Sequence, residues 1–213
     1  MTKILTLYND SDSEDPHGDC GQWTLHAFSR RHHHESDPSK FFDDNGNPHI
    51  GIRRKLEVGT AFIVSYYEHG QCVWSIEGTG PQCQWDNVRK AGILVWEHPV
   101  DEMGAKTYEA RQKDAASFLE TYTCWCNGDV YGYSVEEKVT LPCGHTELRD
   151  VDSCFGFFGN GVKYMAEQVR AAIDGDPEVE IKGEAKYLAD HHDFVSPLPK
   201  KEVAESTPQP QQE

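Results

Sequence analysis

The spacing of apolar residues changes along this chain, and that change constrains the fold more than any other feature. In the first hundred residues, apolar side chains alternate with polar ones or form short runs, which is typical of β-strands. The predicted strands are 3–8, 22–28, 60–67, 71–76 and 92–97. From residue 106 to 126 apolar residues instead recur at helical spacing over about five turns, and Asn127-Gly128 is a helix stop signal. This pattern predicts one long helix after a set of strands.

The same two patterns return in the second half of the chain. Residues 130–141 and 148–157 are predicted strands, and Asn160 is a suitable N-cap for a second helix with an apolar face from Val162 to Ile173. A further short helix is predicted near residues 184–189. Because strands and helices come in blocks and do not alternate regularly, we predict an α+β fold with a largely antiparallel sheet and two main helices.

The length of the chain and its composition bear on domain organisation. The chain has 213 residues, of which 37% are hydrophobic, and this suffices for a compact domain without disulfides or a metal. We expect a single domain over residues 1–195. Residues 196–213 are rich in Pro, Gln and Glu and show no apolar periodicity. We therefore predict a disordered C-terminal tail whose deletion leaves the fold intact.

Neither membrane insertion nor export is expected. No apolar run approaches the roughly 18 residues needed to span a bilayer. The first ten residues contain too short an apolar stretch for a secretory signal, so we expect a cytoplasmic protein. Its seven cysteines are then expected to be reduced thiols or metal ligands.

The charge balance is strongly acidic. There are 20 basic and 36 acidic residues, for a net charge of -16 at pH 7, so we expect no direct binding to nucleic acid. Spread over the surface, this charge is about sixfold more dilute than on duplex DNA, and only a local patch could imitate DNA. The densest window holds Asp10, Asp12, Glu14, Asp15 and Asp19. It is either a solvated loop or a binding surface for a basic partner.

One of the five tryptophans stands apart from the predicted core. Trp85, followed by Asp86, lies in a turn-rich segment before the strand at 92–97. We expect this tryptophan at the surface. An exposed tryptophan beside a carboxylate is a candidate binding anchor, because aromatic residues carry much of the energy of protein interfaces.

A Cys-x-Cys pair and a Cys-x-His pair are the candidate metal ligands: Cys124, Cys126, Cys143 and His145. Structural zinc takes four such ligands delivered as two close pairs, and Gly144 permits a tight turn in the second pair. In the first pair, residues two apart on a helix point about 200° apart, so chelation requires the helix to unwind before Asn127. Zinc is one interpretation. The other, which we favour, is that no cofactor is bound, that Cys126 and Cys154 are small buried hydrophobic residues, and that the remaining cysteines are incidental.

A polar loop over residues 30–48 contains three consecutive histidines, His32, His33 and His34. Together with His17, His26 and Glu35 or Asp37 they could form a hydrolytic metal site. However, neighbouring residues of an extended chain face opposite ways, and no HExxH spacing fixes such a site. The chain also lacks a phosphate-binding loop and a serine-hydrolase motif.

Five segments of the sequence occur together in a recognisable order. They are LYND, YYEHG, QCQWDNVRKAGILVW, ETYTCWCNGDVYGYSVEE and DSCFGFFGN, all within residues 4–160. In this order they resemble a family of uncharacterised non-structural proteins of tailed bacteriophages. The chain departs from that family at Asn87-Val88-Arg89, where the family has a Gly-rich turn, and in its cysteines at 124 and 126. The resemblance implies a small phage protein made in the host cytoplasm, and it supplies no activity or catalytic residues.

Taken together, these features predict a phage-encoded acidic accessory protein that binds a host macromolecule and inhibits or modulates it. The partner could be a nuclease, a polymerase or an anti-phage defence protein with a basic groove. Two alternatives stay open: a metal-dependent hydrolase that uses the histidine-rich loop, and a self-associating structural or virion accessory protein. We lean towards a protein that is not an enzyme.

Overall fold

The computed structural model describes residues 2–19, 23–174 and 178–196 of the chain. The predicted tail beyond residue 196 lies outside this part. The described chain divides into two compact units. The larger unit comprises Tyr8–Gly132 and Cys154–Val162, and the smaller unit comprises the described residues of Met1–Leu7, Tyr133–Ser153 and Lys163–Glu213. The single domain expected over residues 1–195 stays a prediction, because two compact units can belong to one folding domain.

Eight strands and four helices are described. The strands are β1 (Thr2–Asn9), β2 (Trp23–Ala27), β3 (Ala61–His69), β4 (Gln71–Ile76), β5 (Asn87–Trp96), β6 (Val130–Thr140), β7 (Thr146–Phe158) and β8 (Glu178–Lys182). The helices are α1 (Pro16–Asp19), α2 (Ile50–Val58), α3 (Tyr108–Asn127) and α4 (Val162–Ile173). Short 3-10 turns occur at Pro38–Lys40, Val100–Glu102, Gly159–Gly161 and Lys186–Asp190. The predicted α+β fold with mostly antiparallel sheets is confirmed.

Several local predictions differ from the structure. Helices α1 and α2 and strand β8 were not predicted, and β5 begins at Asn87, five residues before the predicted start at Gly92. The short helix predicted at 184–189 is a 3-10 turn at Lys186–Asp190. The reason is the same in each case, since these segments are short or polar and tertiary contacts decide their conformation.

In the first sheet the strands lie in the order β7, β6, β1, β8. Strand β8 pairs in parallel with β1, from Thr2 opposite Glu178 to Thr6 opposite Lys182. Strands β6 and β7 are joined by a tight turn, where the Leu141 amide donates to the His145 carbonyl over 2.7 Å. The fully buried residues of the smaller unit include Leu5, Val135, Met165 and Val169.

The second sheet lies within the larger unit, with the strand order β2, β5, β3, β4 and antiparallel pairing throughout. Helix α3 packs against β4. The Thr107 side chain caps its start by accepting from the Ala110 amide, and Gly128, with φ 71°, ends it in the left-handed conformation that glycine adopts without strain. The main core of this unit includes Trp23, Leu25, Phe62, Leu94, Trp96, Leu119 and Tyr122.

Among the described residues, no helix combines the length and apolar character that crossing a bilayer requires.

Candidate functional site

The acidic segment between β1 and α1 is held in place by two of its own carboxylates. Asp10 accepts a hydrogen bond from the Gly156 amide at 3.0 Å. Asp15 accepts from the His17 amide at 2.9 Å and contacts His34 Nε2 at 2.7 Å. Asp12 and Glu14 lie between them and are exposed. Asp10 and Asp15 therefore fix the loop, and Asp12 and Glu14 lie at the surface.

The acidic segment forms one wall of a groove of about 410 Å³. We call it the acidic–aromatic groove. The Phe155 ring is 52% exposed and lies 5.6 Å from the Tyr8 ring, centroid to centroid. A Cβ at Gly132 would come within 2.1 Å of the Phe155 ring, so glycine is needed there for this ring position. The groove is lined by the carboxylate residues Asp10, Asp12, Glu14 and Asp15 and by Phe155 and Phe158.

Of the other residues predicted to bind, Asp19 is the last residue of α1, and its side chain is outside the described part. Trp85 is 85% exposed. Its neighbour Asp86 is anchored, with Oδ2 3.4 Å from His69 Nδ1 and 3.5 Å from the Cys83 sulfur. Trp85 does not line the acidic–aromatic groove, so the sequence predicted two separate surface features.

The three consecutive histidines contact three different sets of side chains. The His32 ring lies 4.3 Å from Tyr66 and 4.9 Å from Trp74, centroid to centroid. His33 lies 4.9 Å from the Trp125 ring, and His34 pairs with Asp15. Burial lowers the pKa of His32, so its ring is mostly neutral at pH 7. Each histidine therefore has its own packing role.

The four residues predicted as zinc ligands occur in two different settings. Cys124 and Cys126 lie in the last turn of α3, which continues unbroken to Asn127. Cys143 and His145 are exposed in the turn between β6 and β7. The structure does not assemble the four into a site: no group of three or more His, Cys, Asp or Glu side chains in the described part is placed to hold a metal ion.

A cleft of about 260 Å³ that the sequence did not reveal lies beside the end of α3. We call it the thiol cleft. Cys72 of β4 and Cys126 of α3 both line it, and each is partly buried. The other residues that line it are Arg31, His32, His33, Tyr66, Glu68, Gly70, Trp74, Tyr122 and Asn127.

Helix α3 brings the two cysteines together by covering the free edge of β4. Asn127 accepts from the Cys72 amide and donates to the Cys72 carbonyl, each at 2.9 Å. One turn earlier, the Thr123 hydroxyl accepts from the Trp74 amide at 3.0 Å. These contacts satisfy backbone groups that an edge strand would otherwise leave unpaired. They also fix Cys72 next to the helix turn that carries Cys126.

The cysteines of the thiol cleft have different proton affinities. A hydrogen bond from the Cys126 thiol lowers the pKa of Cys72, while burial and Glu68 oppose this change. The same hydrogen bond, followed by burial, raises the pKa of Cys126. Cys72 is therefore the thiol that ionises first, and Cys126 keeps its proton.

The chain matches no protein-family model, no curated protein and no solved structure. Inferences about function therefore depend on the residues and geometry of this chain.

Proposed function

We propose that the protein binds another protein through the acidic–aromatic groove, and that it is a phage-encoded accessory protein that inhibits or modulates a host macromolecule in the host cytoplasm. The observation that carries the proposal is the placement of exposed carboxylates beside an exposed phenylalanine ring in one groove.

The chemistry of the groove favours a basic segment as its ligand. Carboxylates bind lysine and arginine through charge-assisted hydrogen bonds. An aromatic face adds a cation–π attraction to the same side chains. Asp12 and Glu14 supply the charge and Phe155 supplies the ring. A host protein with a basic groove or basic loop meets both requirements, whereas nucleic acid is repelled by a net charge of -16.

The test is a pull-down from lysate of the bacterial host with three baits. They are the wild type, a groove variant with Asp12→Asn and Glu14→Gln, and a control with Asp101→Asn and Glu102→Gln. The control removes the same charges from exposed positions in another turn. We expect one host protein to bind the wild type and the control. We expect about tenfold weaker binding to the groove variant, since two partly exposed ion pairs contribute up to about 0.7 kcal/mol each.

The dependence of affinity on salt concentration distinguishes binding through the groove from apolar association. Binding through the groove should weaken as ionic strength rises, because screening shortens the reach of exposed charges. Equal binding to all three baits, or an affinity that does not change with salt, would contradict the proposal. Sedimentation of the purified chain tests the self-association alternative. That alternative predicts a large defined assembly, whereas our proposal predicts none.

A further inference from the structure

The thiol cleft contains two cysteines that differ in chemistry and come from separate parts of the chain. Cys72 is the second residue of β4, and Cys126 lies in the last turn of α3. Both side chains line this one cleft, and each thiol is the first influence on the pKa of the other. Two thiols that meet in this way are candidates for a disulfide, which requires their Cα atoms to lie within about 7 Å of each other.

The backbone around the pair is held firmly on both sides. Asn127 follows Cys126 directly and makes two hydrogen bonds to the Cys72 backbone. The Thr123 hydroxyl accepts a hydrogen bond from the amide of Trp74, which lies two residues after Cys72 on β4. The two cysteines therefore stay together whether or not their sulfurs are bonded.

The surroundings give the two thiols unequal roles. The hydrogen bond from Cys126 favours the thiolate of Cys72, which makes Cys72 the better nucleophile. Cys126 keeps its proton and is held beside the sulfur that it would later attack. An attacking thiol with a resolving thiol next to it allows the mixed disulfide formed in thiol–disulfide exchange to be released.

The cleft limits which disulfides can enter. Its volume of about 260 Å³ is just below the range typical of ligand pockets, and Tyr66 and Trp74 are among its lining residues. Arg31 and Glu68 also line it, with Nη2 and Oε2 3.8 Å apart and both side chains largely exposed. A cleft of this size admits the sulfur atoms of a small disulfide while the rest of that molecule stays outside, whereas a disulfide buried in a folded protein cannot reach the cysteines.

We propose that Cys72 and Cys126 form a thiol–disulfide exchange site for small disulfides, with Cys72 as the attacking residue and Cys126 as the resolving residue. Cys72 attacks one sulfur of the substrate, the substrate S–S bond breaks, and the first substrate thiolate leaves. Cys126 then gives its proton to the first substrate thiolate and, as a thiolate itself, attacks the Cys72 sulfur and releases the second substrate thiolate. The Cys126 proton and one from water or Cys72 complete two substrate thiols. The protein dithiol loses two electrons, and the substrate disulfide gains them.

The test uses the full chain, reduced and then exposed to oxidised glutathione. Free thiols are blocked by alkylation at fixed times, and peptides are analysed by mass spectrometry without reduction. We expect a Cys72–Cys126 disulfide in the wild type. In Cys126→Ser we expect glutathione to remain attached to Cys72. In Cys72→Ser we expect loss of the cross-link and an unmodified Cys126.

Cys83→Ser is the matched control, because Cys83 is also partly buried and hydrogen-bonded but does not line the thiol cleft. This variant should form the cross-link as fast as the wild type. A second measurement needs no variant: phenylarsine oxide binds two neighbouring thiols, and it should protect Cys72 and Cys126 from alkylation in the wild type.

Three results would overturn the proposal. The first is a wild type in which Cys72 and Cys126 stay free while the exposed Cys143 and Cys154 react. The second is a cross-link between any other pair of cysteines. The third is attachment of glutathione to Cys126 in Cys72→Ser as fast as to Cys72 in Cys126→Ser, which would remove the distinction between attacking and resolving thiols.

Discussion

Strands β5 and β7 are both long, yet their surroundings are opposite. Every residue of β5 from Ala91 to Trp96 is buried. In β7, Leu148 is 51% exposed, Val151 41% and Phe155 52%. The difference follows from position in the sheets, since β5 lies between β2 and β3 whereas β7 is at an end of its sheet.

Comparing β5 with β7 shows which feature of a sequence distinguishes a central strand from an edge strand. Both segments contain β-branched and aromatic residues, and these favour strands at the centre and at the edge of a sheet alike. The distinguishing feature is the continuous apolar run AGILVW in β5, because a strand covered on both faces has no polar side to present. Strand β7 interrupts its apolar residues with charged ones, as an exposed edge requires.

The largest expected effect comes from removing a leucine side chain in each strand. Leu94→Ala in β5 should lower the free energy of unfolding by about 3 kcal/mol, because it leaves a cavity in a fully buried cluster. Leu148→Ala in β7 should change it by less than about 0.5 kcal/mol. Urea unfolding followed by far-ultraviolet circular dichroism measures both. Equal losses would show that β7 is covered in solution.

A glycine in each strand provides the next comparison. An added Cβ at Gly92 would come within 2.4 Å of the His26 carbonyl oxygen on β2, so Gly92→Ala should cost about 2 kcal/mol by forcing the strands apart. At Gly156 of β7 the space is open and only the φ of +81° resists alanine, for a cost of about 1 kcal/mol. Thermal unfolding measures both. A Gly156→Ala variant less stable than Gly92→Ala would contradict the packing described for β5.

A change of polarity without a change of shape sharpens the contrast further. Val95 is 1% exposed and Val151 is 41% exposed. Val95→Thr places a hydroxyl group in an apolar cluster and should cost about 1 to 2 kcal/mol. Val151→Thr can hydrate its hydroxyl and should stay within about 0.5 kcal/mol of the wild type. If urea unfolding shows that Val95→Thr also leaves the free energy of unfolding unchanged, the region around β5 is hydrated.

The sequence was sufficient for those parts of the fold in which the local pattern and the tertiary contacts agree. The apolar spacing and stop signal of α3 are local, and its end at Asn127 matches the prediction. Helix α2 was missed because its apolar face is narrow: Ile52 and Leu56 pack against the core, but none of its residues is fully buried. The available signals were the spacing of these two residues and Gly59, which ends the helix with φ 73°. Strand β8 was missed because its partner β1 lies at the other end of the chain.

The two candidate sites also differ in how much of each one the local sequence reveals. The acidic residues of the groove are close in sequence, so their clustering could be found without a structure. Phe155 could not be assigned to them, since its place there depends on the contact between Asp10 and Gly156. Cys72 and Cys126 form a pair only because Asn127 and Thr123 bind the edge of β4. No spacing in the sequence encodes that contact, and the sequence instead grouped Cys126 with Cys124, Cys143 and His145.

The remaining difference between the two strands concerns ionisable neighbours. His26 of β2 lies opposite Ile93 of β5, whereas β7 contains no histidine. Burial lowers the pKa of His26 below its ordinary value of 6.5, and the negative charge of Glu97 opposes this only in part. Burial lowers the pKa of His17 and His32 in the same way. All three histidines belong to the larger unit.

The sheet containing β5 should therefore lose stability as the solution becomes mildly acidic. Above about pH 7 these histidines are neutral in both the folded and the unfolded chain and contribute nothing. As the pH falls through 6.5, the unfolded chain binds protons that the folded chain takes up only at lower pH, so the free energy of unfolding decreases. This effect on stability should be the smallest of the four predicted here, because the rings keep some contact with water.

Urea unfolding followed by tryptophan fluorescence reports on the larger unit, which contains all five tryptophans. Replacing His26 with Gln should reduce the decrease between about pH 7.5 and pH 5.5, and a wild type that becomes more stable over that interval would contradict the burial of these rings.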